Sequence, residues 1–212
     1  MFPGFSKTIV EVRSVGGVVG IGEAPNAASA ERIRDAIAHG LIGANAYDLA
    51  ECERRAVSPT KALQNTDDEA TLRAFGGVEM ALWDLVGKIE GRSVASLLGG
   101  RVRDVVQFTE YFAFRVPSGD TAGEQTPTDV ARYCARMAEL HGSPSFEGKV
   151  GVLDLATEVK MVKEVRRAIG DAALLRLDAN MAWSVGVARD ALHRLEEFNL
   201  SSIEEPVRPE HD

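Results

Sequence analysis

The stretch SFEGKVGVLDLATEVKMVKEVRRAIGDAALLRLDAN, Ser145–Asn180, holds one strand–helix–strand unit and decides the fold. SFEGKVGV is a short apolar run typical of a buried strand. ATEVKMVKEVRRAIG repeats apolar residues at helical spacing with alternating charges, and ALLRLDAN returns to a strand pattern. Strands joined through a helix are usually parallel neighbours, so this stretch predicts a βαβ unit.

The same alternation extends to both sides of this unit. VVQFTEYFAF predicts a strand, and TPTDVARYCARMAELHG predicts a helix opened by a threonine cap. SVGVARDALHRLEEFN predicts a helix with a serine cap, and SSIEEPV predicts a last strand. Four such strands fit either a doubly wound sheet or the opening half of a (β/α)₈ barrel. A barrel would be unfinished at Asp212, which directly follows a strand.

The first part of the chain has a different pattern. TIVEVRSV and VVGIGEA flank Gly16–Gly17, which predicts a β-hairpin with a tight turn. The pattern is helical from Ala27 to about Glu53, and Asp67–Asp68 supplies N-cap chemistry for a long helix that ends near Gly91. We therefore expect an α+β domain over residues 1–105 and an α/β domain over residues 106–212.

Composition excludes several classes of protein. Lysine and arginine number 24 against 32 acidic residues and are scattered, which disfavours a nucleic-acid partner. Apolar runs stay below the roughly 18 residues of a membrane span, and MFPGFSKTIV lacks the order of a signal peptide. Cys52 and Cys134 show no metal or redox spacing. These features predict a cytoplasmic protein without a membrane partner.

Polar residues end the predicted parallel strands. Lys149, Asp178 and Glu204 follow one another at intervals of 29 and 26 residues, close to one βα unit each, and Asn180 lies just beyond Asp178. Neighbouring strands lie about 4.8 Å apart, so these side chains can converge. Two converging carboxylates favour a hard cation such as Mg²⁺, beside which a partly desolvated lysine can act as a base. The alternative is that the acidic residues only cap helices and the lysine is solvated, and spacing alone does not decide.

The segments GGVEMALWDLVGKIEGRSVASLLGG, LRLDANMAWS and IEEPV resemble the enolase superfamily, in its mandelate racemase and glucarate dehydratase-like branch. The resemblance implies an α+β capping domain followed by a modified (β/α)₈ barrel, in a homo-oligomer, with an earlier cap strand and the rest of the barrel outside this chain. It further implies a Mg²⁺-dependent lyase that removes the proton α to an acid-sugar carboxylate and then eliminates water. A racemase, an epimerase or a cycloisomerase shares the first step, and a non-catalytic barrel is the alternative from another class.

The resemblance also implies roles for individual residues. Asp178 and Glu204 match the first two magnesium ligands, the third ending a strand beyond Asp212, and Asn180 matches a substrate contact. Trp183 could wall the pocket or serve in packing. Lys149 matches the second lysine of the family's KxK motif, which is the base. Glu110 and Arg115 lie near the end of the first predicted barrel strand, where a substrate carboxylate or hydroxyl could be bound.

Glu147 departs from this pattern, because the family has the first KxK lysine there. Residues two apart on a strand share a face, so Glu147 should lie beside Lys149. A carboxylate at this position would stabilise the ammonium form of Lys149, which a second cation would disfavour. Three interpretations follow. Magnesium still dominates and Lys149 is the base, or Lys149 stays protonated while another group is the base, or the activity has been lost.

Overall fold

The computed structural model describes residues 6–57, 66–119 and 122–211. These residues form two compact units, the first ending at Asp104 and the second beginning at Val105. In the part of the chain that is described, no helix is long and apolar enough to cross a membrane.

The first unit opens with the predicted hairpin. Strands β1 (Thr8–Arg13) and β2 (Val19–Ala24) pair antiparallel, and Gly17 takes a φ of 84° in the turn between them. Gly20 and Gly22 of β2 lie against the backbone of a long helix, where a Cβ would come within 2.0 Å of a carbonyl oxygen. These two glycines therefore allow close contact between β2 and the helix.

Helices complete the first unit. They are α1 (Ala28–Arg32), a π-helical turn (Ile33–Ile37), α2 (Ala38–Leu41), α3 (Leu49–Ala56), α4 (Thr66–Glu90) and α5 (Val94–Leu97). The helical region predicted from Ala27 onward is interrupted at residues 42–48, where Asp48 caps α3 by accepting from the Glu51 amide at 2.9 Å. Helix α4 begins at Thr66, so Asp67–Asp68 lies inside its first turn and not before it as predicted.

The second unit alternates strands and helices. In chain order these are β3 (Glu110–Phe112), α6 (Pro127–His141), β4 (Ser145–Lys149), α7 (Leu155–Ile169), β5 (Leu174–Asp178), α8 (Val185–Leu195) and β6 (Ser202–Glu204). The strands form one parallel sheet in the order β3-β4-β5-β6. Thr126 forms a capping box at α6 and Ser184 caps α8, as the sequence predicted.

The core of this unit lies on one face of the sheet. Phe146 and Leu177 are fully buried in a single cluster with Val130 of α6, Met161 of α7 and Ala191 of α8. All three helices therefore cover the same face, whereas a doubly wound sheet has helices on both faces. The arrangement is that of the first half of a (β/α)₈ barrel, preceded by an α+β cap, and the alternative of a doubly wound sheet is wrong.

Candidate functional site

Lys149, Asp178 and Glu204 form one row across the sheet. Each is the last residue of its strand, and in the parallel register Lys149 lies beside Asp178 and Asp178 beside Glu204. The row lies at the carboxyl ends of the strands, where (β/α)₈ barrels place their chemistry. The strand-end positions inferred from spacing are therefore confirmed as neighbouring positions.

Lys149 bridges two of the candidate residues. Its Nζ donates to Asp178 Oδ2 and to Asn180 Oδ1. The side chains of Lys149 and Asp178 are only 15% and 7% exposed, while Asn180 is exposed. The backbone N–H of Asn180 donates to Asp178 Oδ1 at 2.7 Å, so both oxygens of this buried carboxylate accept a hydrogen bond. The ammonium group compensates a carboxylate that would otherwise be costly to bury.

The loops beyond these strands contain strained backbone. Asn180, Met181 and Glu205 have φ values of 45°, 60° and 40°, in the left-handed region that non-glycine residues rarely adopt. The Met181 amide donates to the Glu205 carbonyl at 2.7 Å, which joins the loops after β5 and β6. Such strained residues persist only where the surrounding structure holds them in place, and they cluster at functional sites.

Glu147 lies one row below and is paired with a cation that sequence reasoning missed. In the register Glu147 lies beside Arg176, and Glu147 Oε2 is 3.4 Å from Arg176 Nη2. The Arg176 Nη2 also donates to Thr109 Oγ1 at 3.0 Å. Arg176 precedes Asp178 by two residues, so it shares the face of the site. That alternation was the available signal.

Tyr111 is a second residue of this face that the sequence analysis did not single out. It lies beside Glu147 in the register of β3 and β4. Its pKa is raised, mainly by burial and then by the negative charges of Asp178 and Glu147. The phenol therefore stays protonated and can donate a hydrogen bond at neutral pH.

Three other candidates lie outside the row. Trp183 is 7% exposed inside the hydrophobic cluster, and its Nε1 would lie 3.5 Å from a Cβ at Gly151, so it packs against the turn after Lys149. Glu110 begins β3 instead of ending it, and its Oε1 accepts from Ser143 Oγ at 2.9 Å and lies 2.6 Å from His141 Nδ1. Arg115 pairs with Glu124 at 2.7 Å and lies over the Tyr133 ring. The expectation that Glu110 and Arg115 meet substrate is therefore wrong for Glu110, and Arg115 is engaged by its own neighbours.

The donor set of the row fits part of a magnesium site. Asp178 and Glu204 are neighbouring carboxylates, and carboxylate oxygens are the ligands that Mg²⁺ prefers. The buried Asp178 carboxylate already has a cationic neighbour in Lys149. Within the described residues, no group of three or more His, Cys, Asp or Glu side chains is arranged to hold a metal. The row thus offers two ligands of the right kind.

Comparison with known proteins assigns both units. Residues 5–99 match the model described as the N-terminal domain of mandelate racemase / muconate lactonizing enzyme, and residues 129–212 match the enolase C-terminal domain-like model. Muconate cycloisomerase 1 of Pseudomonas putida is 33% identical, over 94% of this chain and 51% of that protein. A probable glucarate dehydratase of Streptomyces coelicolor is 30% identical, over 95% of this chain and 52% of that protein.

Solved structures agree with this assignment. An enolase from Pseudomonas fluorescens, with bound magnesium, potassium and tartrate, superposes with a TM-score of 0.81 at 25% identity, over 95% of this chain and 52% of that chain. The chain spans about half the length of the curated relatives it matches. With both domain models matched in order, the chain belongs to the mandelate racemase and muconate lactonizing enzyme family of the enolase superfamily.

Proposed function

We propose that this chain supplies the cap and half the active site of a magnesium-dependent enzyme that removes the proton α to the carboxylate of an acid sugar. Loss of the β-hydroxyl as water would follow and give a 2-keto-3-deoxy acid. The observation that carries the proposal is the row of Lys149, Asp178 and Glu204 at the carboxyl ends of three neighbouring strands. It combines a candidate base with two candidate metal ligands.

Each residue of the row has a distinct part in this proposal. Lys149 Nζ accepts the α-proton, and Asn180 Oδ1, which already contacts Nζ, orients the amine before transfer and holds the ammonium group afterwards. Asp178 and Glu204 would hold Mg²⁺. The bound metal supplies a Lewis acid that stabilises the negative charge developing on the substrate carboxylate.

The pairing of Glu147 with Arg176 favours the interpretation in which Lys149 is the base. The Glu147 carboxylate lies 3.4 Å from a guanidinium, while the contacts of Lys149 are made with Asp178 and Asn180. Glu147 therefore has a cation of its own, and the carboxylate that stabilises the ammonium form of Lys149 is that of Asp178, whose charge bound Mg²⁺ would offset. The negative charge that Glu147 brings in place of the first KxK lysine is thus compensated by Arg176 on the neighbouring strand.

A cycloisomerase is the second candidate function. The relative from Pseudomonas putida is named a muconate cycloisomerase and is 33% identical, slightly above the probable glucarate dehydratase. Both reactions require stabilisation of an anion next to a carboxylate. They differ in the fate of that anion, which loses water in a dehydration and takes part in ring closure or opening in a cycloisomerisation. The row at the strand ends is compatible with both reactions, so the product must decide between them.

The test uses the full-length protein with Mg²⁺ and a panel of glucarate-like diacids, aldonates and muconate. In deuterated solvent we expect magnesium-dependent exchange of the α-proton, and formation of a keto acid identifies dehydration. Lys149→Ala should abolish the exchange, whereas Lys160→Ala, which removes an exposed lysine of α7, should leave it unchanged. Absence of exchange from wild type across the whole panel would instead support a non-catalytic barrel.

A further inference from the structure

The turn that follows Lys149 donates its backbone amides to a buried carboxylate, that of Glu158. Glu158, in the first turn of α7, is 2% exposed. Its Oε2 accepts from the Gly151 amide at 2.8 Å, and its Oε1 accepts from the amides of Val152 and Leu153 at 2.7 and 2.9 Å. Three consecutive backbone donors thus converge on one side chain.

This arrangement satisfies groups that the fold would otherwise leave without partners. Consecutive amides of a tight turn have no strand partner. These three bonds are part-buried, so leaving one amide unpaired costs at most the penalty of a buried donor, about 1–3 kcal/mol. The carboxylate is equally dependent on the amides, because a buried charge without hydrogen bonds is unfavourable. Glu158 and the turn therefore fix each other's position.

The fixed turn lies between the candidate base and the loop that carries its partners. Gly151 has a φ of 82°, and a Cβ at this position would lie 2.6 Å from Ala182 Cβ in the loop after β5. On the other side, the Val150 amide donates to the Asp178 carbonyl at 3.0 Å. A shift of the turn would consequently move Lys149 relative to the loop that contains Asn180.

We infer that Glu158 is a positioning residue of the proposed reaction, which locks the turn Gly151–Leu153 and so holds Lys149 Nζ in register with Asp178 and Asn180. The inference rests on the proposed function of Lys149. Glu158 itself does not reach substrate, since both of its oxygens are engaged by backbone amides and the side chain is buried. Its effect is transmitted through the backbone of the turn.

A purely structural role makes a different prediction. If Glu158 only stabilised the fold, its substitution would reduce the folded fraction and leave kcat per folded molecule unchanged. If it positions Lys149, kcat falls while KM changes little, because misplacing a reacting group affects the transition state more than substrate binding.

The test compares Glu158→Gln with Glu139→Gln in the full-length protein. Glutamine keeps the size of the side chain but turns an NH₂ group toward an amide donor, and Glu139 is an exposed glutamate of α6 that controls for loss of charge. For Glu158→Gln we expect kcat for α-proton exchange to fall about 10- to 100-fold, with KM altered less than about threefold. Glu139→Gln should behave as wild type. Equal kcat per folded molecule in Glu158→Gln and wild type would overturn the inference.

Hydrogen exchange gives a readout that does not need turnover. In Glu158→Gln the amides of Val152 and Leu153 should exchange at least about tenfold faster, which corresponds to about 1.4 kcal/mol of easier local opening. Amides in the centre of α7 should change by less. Unchanged protection of the turn would contradict the inference even if wild type proved inactive on every substrate. If wild type is inactive and the turn of Glu158→Gln is loosened, the proposed function is overturned, and the positioning role is overturned with it. The wild-type assay therefore tests the proposed function, and the protection of the turn tests the role of Glu158 separately.

Discussion

Arg166 forms the most extensive side-chain-to-backbone contact in the described part of the second unit, and its removal should weaken the barrel sharply. Arg166 is 6% exposed, and its guanidinium donates to four carbonyl oxygens, those of Phe198 at 2.9 Å, Gly170 and Ala173 at 2.8 Å, and Asn199 at 3.0 Å. These carbonyls belong to the segment before β5 and the segment before β6. One side chain of α7 therefore positions the starts of both strands.

The expected cost of Arg166→Met follows from these contacts. All four bonds have the same charged donor. The fully buried bond to Phe198 contributes about 1.5–3 kcal/mol, and the three part-buried bonds, which water can partly replace, contribute about 1 kcal/mol each. Burial lowers the pKa of Arg166, which shows that its charge is costly to desolvate, and methionine removes this cost and so offsets part of the loss. We expect a net destabilisation of about 3 kcal/mol, which is a large share of the 5–15 kcal/mol typical of a native protein.

Urea unfolding monitored by circular dichroism measures this effect. With a slope of about 2 kcal/mol per molar urea, the midpoint should fall by about 1.5 M. Arg167→Met is the matched control, because Arg167 is the exposed neighbour on the same helix and should change stability by less than about 0.5 kcal/mol. If the two variants unfold at the same urea concentration, the four-carbonyl clamp does not stabilise the unit as inferred here.

Further predictions concern Lys149, the Glu147–Arg176 pair and Glu110. Lys149→Met should lower α-proton exchange by about 10²- to 10⁴-fold, the usual contribution of a general base, and retention of exchange in that variant would remove Lys149 from the mechanism. Glu147→Lys should destabilise the protein by about 1 kcal/mol, because it sets like charges opposite each other at Arg176, and adding Arg176→Glu should restore the loss in a thermal melt. The pKa of Glu110 is lowered in the fold, chiefly by its hydrogen bond with His141. Its stabilisation is thus complete above the ordinary carboxyl pKa and is lost as the pH falls through the lowered value, so Glu110→Gln should flatten the acid limb of a stability–pH curve.

The sequence predicts those parts of the fold that depend only on residues close to one another in the chain. The helices and their caps at Thr126 and Ser184 follow from spacing and from one side chain each. Strand length was less accessible, because the apolar run before Glu110 looks like a strand while Val105 and Phe108 are 76% and 81% exposed. An apolar pattern cannot specify whether a neighbouring strand is present to pair with it. The choice between a barrel and a doubly wound sheet likewise depends on which face each helix crosses, which no local pattern encodes.

The site divides in the same way. Lys149, Asp178 and Glu204 could be found because each ends a strand, and strand ends are visible as a change from apolar to polar residues. Arg176 was missed because its importance depends on the residue beside it on another strand. Glu158 was missed for a related reason, since a glutamate in the first turn of a helix is ordinary and only the fold brings three amides to it. Pairings between elements are the part that sequence patterns leave open.

The cost of the site argues against the interpretation that its activity has been lost. Three non-glycine residues beside it, Asn180, Met181 and Glu205, have left-handed backbone, at about 1 kcal/mol or more each. Asp178 is buried as a carboxylate and needs Lys149 and a backbone amide to be tolerated. Since a protein is only marginally stable, features that reduce stability persist where their geometry is used. Because Glu147 pairs with Arg176, the contacts of Lys149 are those with Asp178 and Asn180 at the strand ends, which is where the proposed proton transfer needs it.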